Sequence, residues 1–249
     1  MILVLGGTSD SLEICDRINK YKNLPYILSV TTSYGEDLAR KYAKNVITGK
    51  LAKEDMINFI EQNNINKIID ATHPYAIEVS KNAIQCATEL NIDYIRYERK
   101  SLIDSINYEN KYIVNSIEDA CKIAREKGRN IFIGTGSKNL PQIVDFIPDR
   151  NLIVRVLPTS DVILSCENLG RNADNIIAMK GPFNQSINEE FYKHYDIDIV
   201  ITKESGTAGG FLEKVNACEA LKIPVVIIAR EKINYPIVVN DIDELEKLI

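Results

Sequence analysis

Residues 1–10 read Met1-Ile2-Leu3-Val4-Leu5-Gly6-Gly7-Thr8-Ser9-Asp10. An apolar run that stops at two glycines and passes through Thr and Ser into polar sequence reads as a strand, a tight turn and a helix start in succession. Glycines at such a turn let backbone approach a pyrophosphate closely. The unpaired N–H groups and dipole of the helix start attract negative charge. The spacing departs from Gly-x-Gly-x-x-Gly, so a ligand-free strand-to-helix turn fits the same residues.

Outward from this turn, short β-branched runs alternate with helical patterns along nearly the whole chain. Strands are expected near 2–5, 26–30, 45–48, 66–70 and 93–97, with helices at about 9–21, 35–42, 53–63 and 75–90. Pro74 sits at or next to the first turn of the last helix. Residues 99–111 break the rhythm with polar sequence and no clear period. Strands are expected again near 112–114, 131–134, 152–156, 176–179, 198–202 and 225–229, followed by an amphipathic tail from Asp241. The expected fold is α/β, two Rossmann-like parallel-sheet domains with a cleft between them. Their bounds are 1–100 for a dinucleotide-binding domain, 101–111 for a connection and 112–249 for a second α/β domain that takes the substrate.

The composition of the 249 residues excludes several classes of function. A net charge of -5 without a basic stripe argues against nucleic acid. No apolar run approaches the roughly 20 residues of a membrane helix, and residues 1–10 lack the basic and apolar regions of an export signal, so a cytoplasmic location is expected. Five widely spaced cysteines without a Cys-x-x-Cys pair read as buried thiols, with no metal site.

The second strand ends in Val30-Thr31-Thr32-Ser33. Hydroxyls in place of the carboxylate that binds the ribose of NAD suit a 2′-phosphate, which favours NADPH while leaving NADH possible. Arg40 and Lys41 are available as counter-ions. A helix cap is the alternative for Thr-Thr-Ser, and Glu36 is within reach of a ribose. The fourth strand runs into Asp70-Ala71-Thr72-His73-Pro74-Tyr75. Thr72 and His73 then join the candidate cofactor set of Gly6, Gly7, Thr8, Ser9, Thr31, Thr32 and Ser33. His73 is also the candidate catalytic residue, as an orienting or hydrogen-bonding group, against the plainer reading of a ring bonded to local backbone.

In the second half, cations stand at or just beyond strand ends: Lys138, Arg155, Lys180, Lys203 and Arg230. Gathered on one sheet edge they suit a polyanionic ligand, although basic residues also close strands and reach out to water. With the small-residue turns beside them they give a candidate substrate set of Thr135, Gly136, Ser137, Lys180, Gly181, Lys203, Ser205, Gly206, Gly209 and Gly210. None of these turns matches Gly-x4-Gly-Lys-Ser/Thr, which argues against an ATPase.

Leu5-Gly-Gly-Thr8, Val30-Thr-Thr-Ser33, Gly49-Lys-Leu51, Asp70-Ala-Thr-His-Pro-Tyr-Ala76, Arg96-Tyr-Glu-Arg99, Thr135-Gly-Ser137, Arg155-Val-Leu-Pro158, Lys180-Gly-Pro-Phe183 and Thr202-Lys-Glu-Ser-Gly206 with Gly209-Gly210 occur in order along the chain. Together they resemble the precorrin-6A and cobalt-precorrin-6A reductase family of cobalamin biosynthesis. The resemblance implies hydride transfer from NADPH or NADH to C19 of a tetrapyrrole macrocycle, giving the 6B form, with possible hand-off to other enzymes of that pathway. Two rivals remain. A short-chain-type dehydrogenase needs Tyr-x-x-x-Lys, and none of the 12 tyrosines has lysine four residues later. A reductase of another anionic substrate, or a non-catalytic nucleotide sensor, shares the first half.

Overall fold

The computed structural model describes residues 1–22, 24–205 and 209–249. From the N-terminus the chain runs through β1 (Ile2–Leu5), α1 (Ser9–Arg17), β2 (Tyr26–Val30), α2 (Ser33–Ala39), β3 (Val46–Thr48), α3 (Lys53–Gln62), β4 (Lys67–Asp70), α4 (Ile77–Glu89) and β5 (Asp93–Tyr97). It continues through β6 (Lys111–Val114), α5 (Ile117–Lys127), β7 (Asn130–Gly134), α6 (Leu140–Phe146), β8 (Asn151–Val156), α7 (Ser160–Asn168) and β9 (Ile176–Ala178). Then follow α8 (Gln185–His194), β10 (Ile199–Lys203), α9 (Phe211–Leu221), β11 (Val225–Ile228), β12 (Val238–Val239) and α10 (Ile242–Glu246).

Among the described residues the strands form two six-stranded sheets, ordered β12-β5-β4-β1-β2-β3 and β6-β11-β10-β7-β8-β9. Every pairing in both is parallel. Helices cover both faces of a parallel sheet, so its strands are apolar on both sides. β1 accordingly buries all four residues, Leu3 and Leu5 against Met56 and Ile68 on one face, Ile2 and Val4 against Ile14 and Leu28 on the other. In the second sheet Phe132, Ile153, Val200 and Val225 pack with Phe211 and Val215 of α9. The expected α/β fold of two parallel sheets is present.

The two orders share one plan, a doubly wound five-strand core with a sixth strand added beside the fifth. Strand order reverses between β1 and β4 in the first sheet and between β7 and β10 in the second. Ligands of open α/β sheets bind outside the carboxyl ends of the strands at such points.

Three expectations need correction. The chain divides into Met1–Lys100 with Glu231–Ile249, and Ser101–Arg230. Residues 231–249 thus leave the expected 112–249 domain, because β12 pairs with β5 and buries Val239 and Leu245 in the first core. Residues 101–111 are no free connection: Ile103, Ile106 and Tyr108 are buried in the second core, and the Tyr108 hydroxyl donates to Ile223 O at 3.0 Å. Finally, α4 starts at Ile77, three residues after Pro74, because Ala76 N–H closes a turn on His73 O at 2.7 Å. Among the described residues no helix is long and apolar enough to cross a membrane.

Leu245 is 1% exposed. Replacing it with Ala should lower unfolding stability by about 2–5 kcal/mol, as for other buried Leu→Ala changes. Chemical denaturation checks this, and a loss below about 1 kcal/mol would mean that the tail packs only loosely.

Candidate functional site

At the β1–β4 switch point, two glycines are required for different reasons. A Cβ on Gly6 would lie 2.7 Å from Leu28 Cδ1 and 2.9 Å from Ser11 Oγ. Gly7 has φ +103°, a conformation that side-chain-bearing residues rarely adopt, with open space around it. Thr8 caps α1, its hydroxyl accepting from Ser11 N–H at 3.1 Å and donating to Ala71 O at 2.7 Å. The glycine turn is therefore tied to the turn that follows β4. Ser9 is exposed at the first residue of α1.

Beneath that second turn lies a buried polar cluster. Asp70 Oδ1 accepts from Thr72 N–H at 3.0 Å, from the Thr72 hydroxyl at 2.7 Å and from Arg96 at 2.8 Å. Asp70 Oδ2 accepts from the Tyr94 hydroxyl at 2.6 Å. Arg96, fully buried, also pairs with Glu98 at 2.8 Å and faces the Tyr235 ring at 5.2 Å. Burial pushes the Tyr94 hydroxyl pKa up, and the Asp70 charge adds to it. With its acceptor positions filled from within the protein, Asp70 shapes the turn and has no capacity left for a ligand.

Thr72 is consumed by this cluster, whereas His73 is exposed beyond it. His73 Nδ1 accepts from Tyr75 N–H at 3.3 Å, the local backbone bond weighed in the sequence, and the two rings lie 5.5 Å apart. An acceptor Nδ1 places the proton of a neutral ring on Nε2. At the end of β2, Thr31, Thr32 and Ser33 are all exposed, and Thr32 caps α2 by accepting from Gly35 N–H at 3.0 Å. Arg40, read as a phosphate counter-ion, is ion-paired with Glu36, and Glu36 also accepts from the Thr48 hydroxyl at 2.6 Å. Neither is therefore directed to a ribose as it stands. Lys41 is exposed.

In the second unit the expected turns converge. Lys203 Nζ donates to Asn139 Oδ1, linking β10 to the turn after β7. Gly210, at φ +62°, lies against Pro182 and Phe183, and the Phe183 ring covers Arg155 at 4.3 Å. Gly136, at φ +78°, stands two residues beyond β7, the same offset that Gly7 has from β1. The Thr135 hydroxyl is buried with no hydrogen-bond partner among the described residues. Ser137 is half-buried, Lys138, Lys180 and Gly181 are exposed, and the Ser205 hydroxyl donates to Gly209 O at 3.2 Å. Gly206 lies outside the described residues. One cation leaves the anion-binding set: Arg230 pairs with Glu204, which is 2% exposed and also accepts from Leu102 N–H at 2.9 Å.

The residue that sequence reading missed is Lys214, inside α9. Glu213-Lys214 looks like an exposed charge pair, yet Lys214 is 5% exposed. The sequence carries no signal for it: the approach of the Lys214 Cδ to Gly134, 3.7 Å from a Cβ placed there, is an ordinary contact. The five cysteines are buried, and burial pushes the Cys15 thiol up to about 12, far from reactive.

A family model described as Precorrin-6x reductase CbiJ/CobK matches residues 1–249. The chain is 40% identical to the cobalt-precorrin-6A reductase of Methanocaldococcus jannaschii over 248 residues, covering 100% of this chain and 97% of that protein. It is 39% identical to the cobalt-precorrin-6A reductase of Priestia megaterium, covering 98% and 96%. A solved structure described as CobK precorrin-6A reductase superposes with a TM-score of 0.80 at 18% identity, over 99% of this chain and 95% of that one, a likeness of fold.

Asp70→Asn should destabilise the protein by about 3–5 kcal/mol, the cost of breaking a buried ion pair from one side. Denaturant melts check it, and a loss under about 1 kcal/mol would remove Asp70 from its central place. Burial, with Lys138 nearby, pushes Lys203 down to about 8 from the ordinary 10.5. Below about 8 the buried charge costs its full amount, and the cost fades as pH rises towards 10.5, because the unfolded chain then binds more protons. Lys203→Met should therefore flatten the pH dependence of stability across that window relative to the wild type. Identical slopes would contradict it.

Proposed function

The chain belongs to the precorrin-6x reductase family, and from that premise we propose that it reduces a carbon–carbon double bond of the cobalt-precorrin-6A macrocycle, at C19, with hydride from NADPH. The observation that carries this reading is the β1–β4 switch point. Its two glycines and the first turn of α1 offer close backbone approach and N–H donors to a pyrophosphate. The exposed hydroxyls of Thr31, Thr32 and Ser33, with no carboxylate at the end of β2, favour NADPH over NADH. The cobalt-containing substrate is favoured by the names of the two relatives at 40% and 39% identity.

When bound, NADPH supplies the hydride. The chain's own residues orient and hold. His73, whose Nδ1 accepts from Tyr75 N–H, is the orienting or hydrogen-bonding group on the cofactor side. Thr8 and Ala71 keep its turn at a fixed distance from the glycines. Lys180 and Lys203 take substrate carboxylates, with Thr135, Gly136, Ser137, Gly181, Ser205, Gly209 and Gly210 offering hydroxyl and N–H donors around them. Gly206 keeps its place in that set on sequence alone. Holding donor and acceptor carbons at near-attack distance supplies most of the acceleration. The conjugated ring takes up the electron pair, and solvent supplies the proton that completes the reduction.

The test mixes the protein with metal-free and cobalt-loaded precorrin-6A and each nicotinamide in turn, following the reduced-cofactor absorbance. NADPH with the cobalt form should be consumed fastest. No consumption in any mixture would sink the proposal, and preference for the metal-free ring would overturn its cobalt clause.

A further inference from the structure

Among the described residues three buried cations differ in how their charge is met. Arg96, fully buried, faces two carboxylates, Asp70 and Glu98. Arg155 and Lys214 are not so closed: among the described residues neither makes an ion pair, though they are 9% and 5% exposed, and Glu213 acts on Lys214 only from beyond ion-pair reach. Arg155 donates to Asn188 Oδ1 at 2.8 Å and lies between the rings of Phe132 and Phe183 at 5.1 and 4.3 Å. Lys214 reaches past Gly134 to donate to Ser205 Oγ at 3.4 Å. Burial pushes the Lys214 ammonium down to about 8, and the neighbouring Arg155 lowers it further. Glu213 and Cys218, on its own helix, act on it less than Arg155 does.

A buried charge without a counter-ion is expensive, and two of like sign close together more so. The volume of Lys214 alone does not call for a charge, since Met has a side chain of similar length. Lys214 lies against Gly134 at the end of β7, Arg155 stands on the neighbouring strand β8, and the partnerless Thr135 hydroxyl is next in sequence to Gly134. We infer that Lys214 and Arg155 form one anion site in the second unit, and that its occupant is a carboxylate of the tetrapyrrole substrate. The occupant's identity rests on the proposed reductase reading, whereas the site rests on the two uncompensated charges. Lys214 is thereby a substrate-binding residue, held on a helix where its stem is covered and its charge is spent on the ligand.

The experiment compares wild type, Lys214→Met and Lys214→Arg in three measurements: absorbance titration with uroporphyrin, a polycarboxylate tetrapyrrole; thermal melts with and without inorganic phosphate; and NADPH affinity. Lys214→Met should bind uroporphyrin about 10- to 100-fold more weakly, the loss of one charge-assisted hydrogen bond. It should lose the stabilisation by phosphate and leave NADPH affinity within about twofold, a difference too small to count as a lost contact. Its ligand-free melting temperature should rise by a few degrees, because an unpaired buried charge has been removed. Lys214→Arg should keep most of the uroporphyrin affinity. A merely structural lysine would give the opposite melting shift. Unchanged uroporphyrin affinity in Lys214→Met overturns the inference, as does a wild type that neither binds uroporphyrin nor is stabilised by phosphate. A wild type that oxidises no NADPH with cobalt-precorrin-6A but shows these Lys214 effects keeps the site and loses only the reductase reading.

Discussion

Asp70 and Arg96 meet at 2.8 Å with both side chains withdrawn from water, and the edge of the first unit is organised around that contact. The pair lies on neighbouring strands in direct register, Asp70 of β4 opposite Arg96 of β5. An ion pair so deeply buried survives only when its remaining hydrogen-bonding capacity is satisfied. Thr72, Tyr94 and Glu98 do this here, and Tyr235 from the C-terminal segment covers the guanidinium. The turn carrying Thr72 and His73 is shaped as a by-product, and Thr8 passes that shape on to the glycine turn. Precision at the ligand edge thus comes from charges that never touch a ligand.

The second unit repeats the topology and reverses the electrostatics. Where the first sheet closes its buried guanidinium with carboxylates, the second leaves Arg155 and Lys214 outside any ion pair among the described residues, with Glu213 acting on Lys214 only from beyond ion-pair reach. The first arrangement is complete in itself. The second becomes balanced only when something negative arrives, which is the usual mark of a site as opposed to a core.

Most of the architecture was legible because a covered parallel sheet imposes continuous apolar strands, and Ile2–Leu5, Val225–Ile228 and their companions meet that requirement without ambiguity. The glycine turn was legible for a related reason, since a side chain at Gly6 would crowd Leu28 and Ser11 and Gly7 holds a backbone angle that other residues rarely adopt. What was hidden depends on partners distant in sequence. Arg230 looked like an anion-binding cation until Glu204 proved to be its partner. Arg40 lost its assignment to Glu36, a neighbour on the same helix whose pairing was available to sequence reading. Lys214 sat beside a glutamate in a pattern that normally means a solvated helix face. The destination of Val238–Val239 was invisible because a short strand carries no label of the sheet it joins.

That destination has a consequence for how the protein is made. The second unit is one unbroken stretch, Ser101–Arg230, whereas the first is built from both ends of the chain. During synthesis from the N-terminus, β1 to β5 emerge early but wait for β12, leaving the free edge of β5 and the cover over Arg96 to be supplied last. The later-made unit can finish folding while the earlier one is still incomplete on the ribosome. An unpaired parallel edge beside a buried charge is a surface that invites wrong partners, so translation of residues 231–249 is the step that ends the exposure.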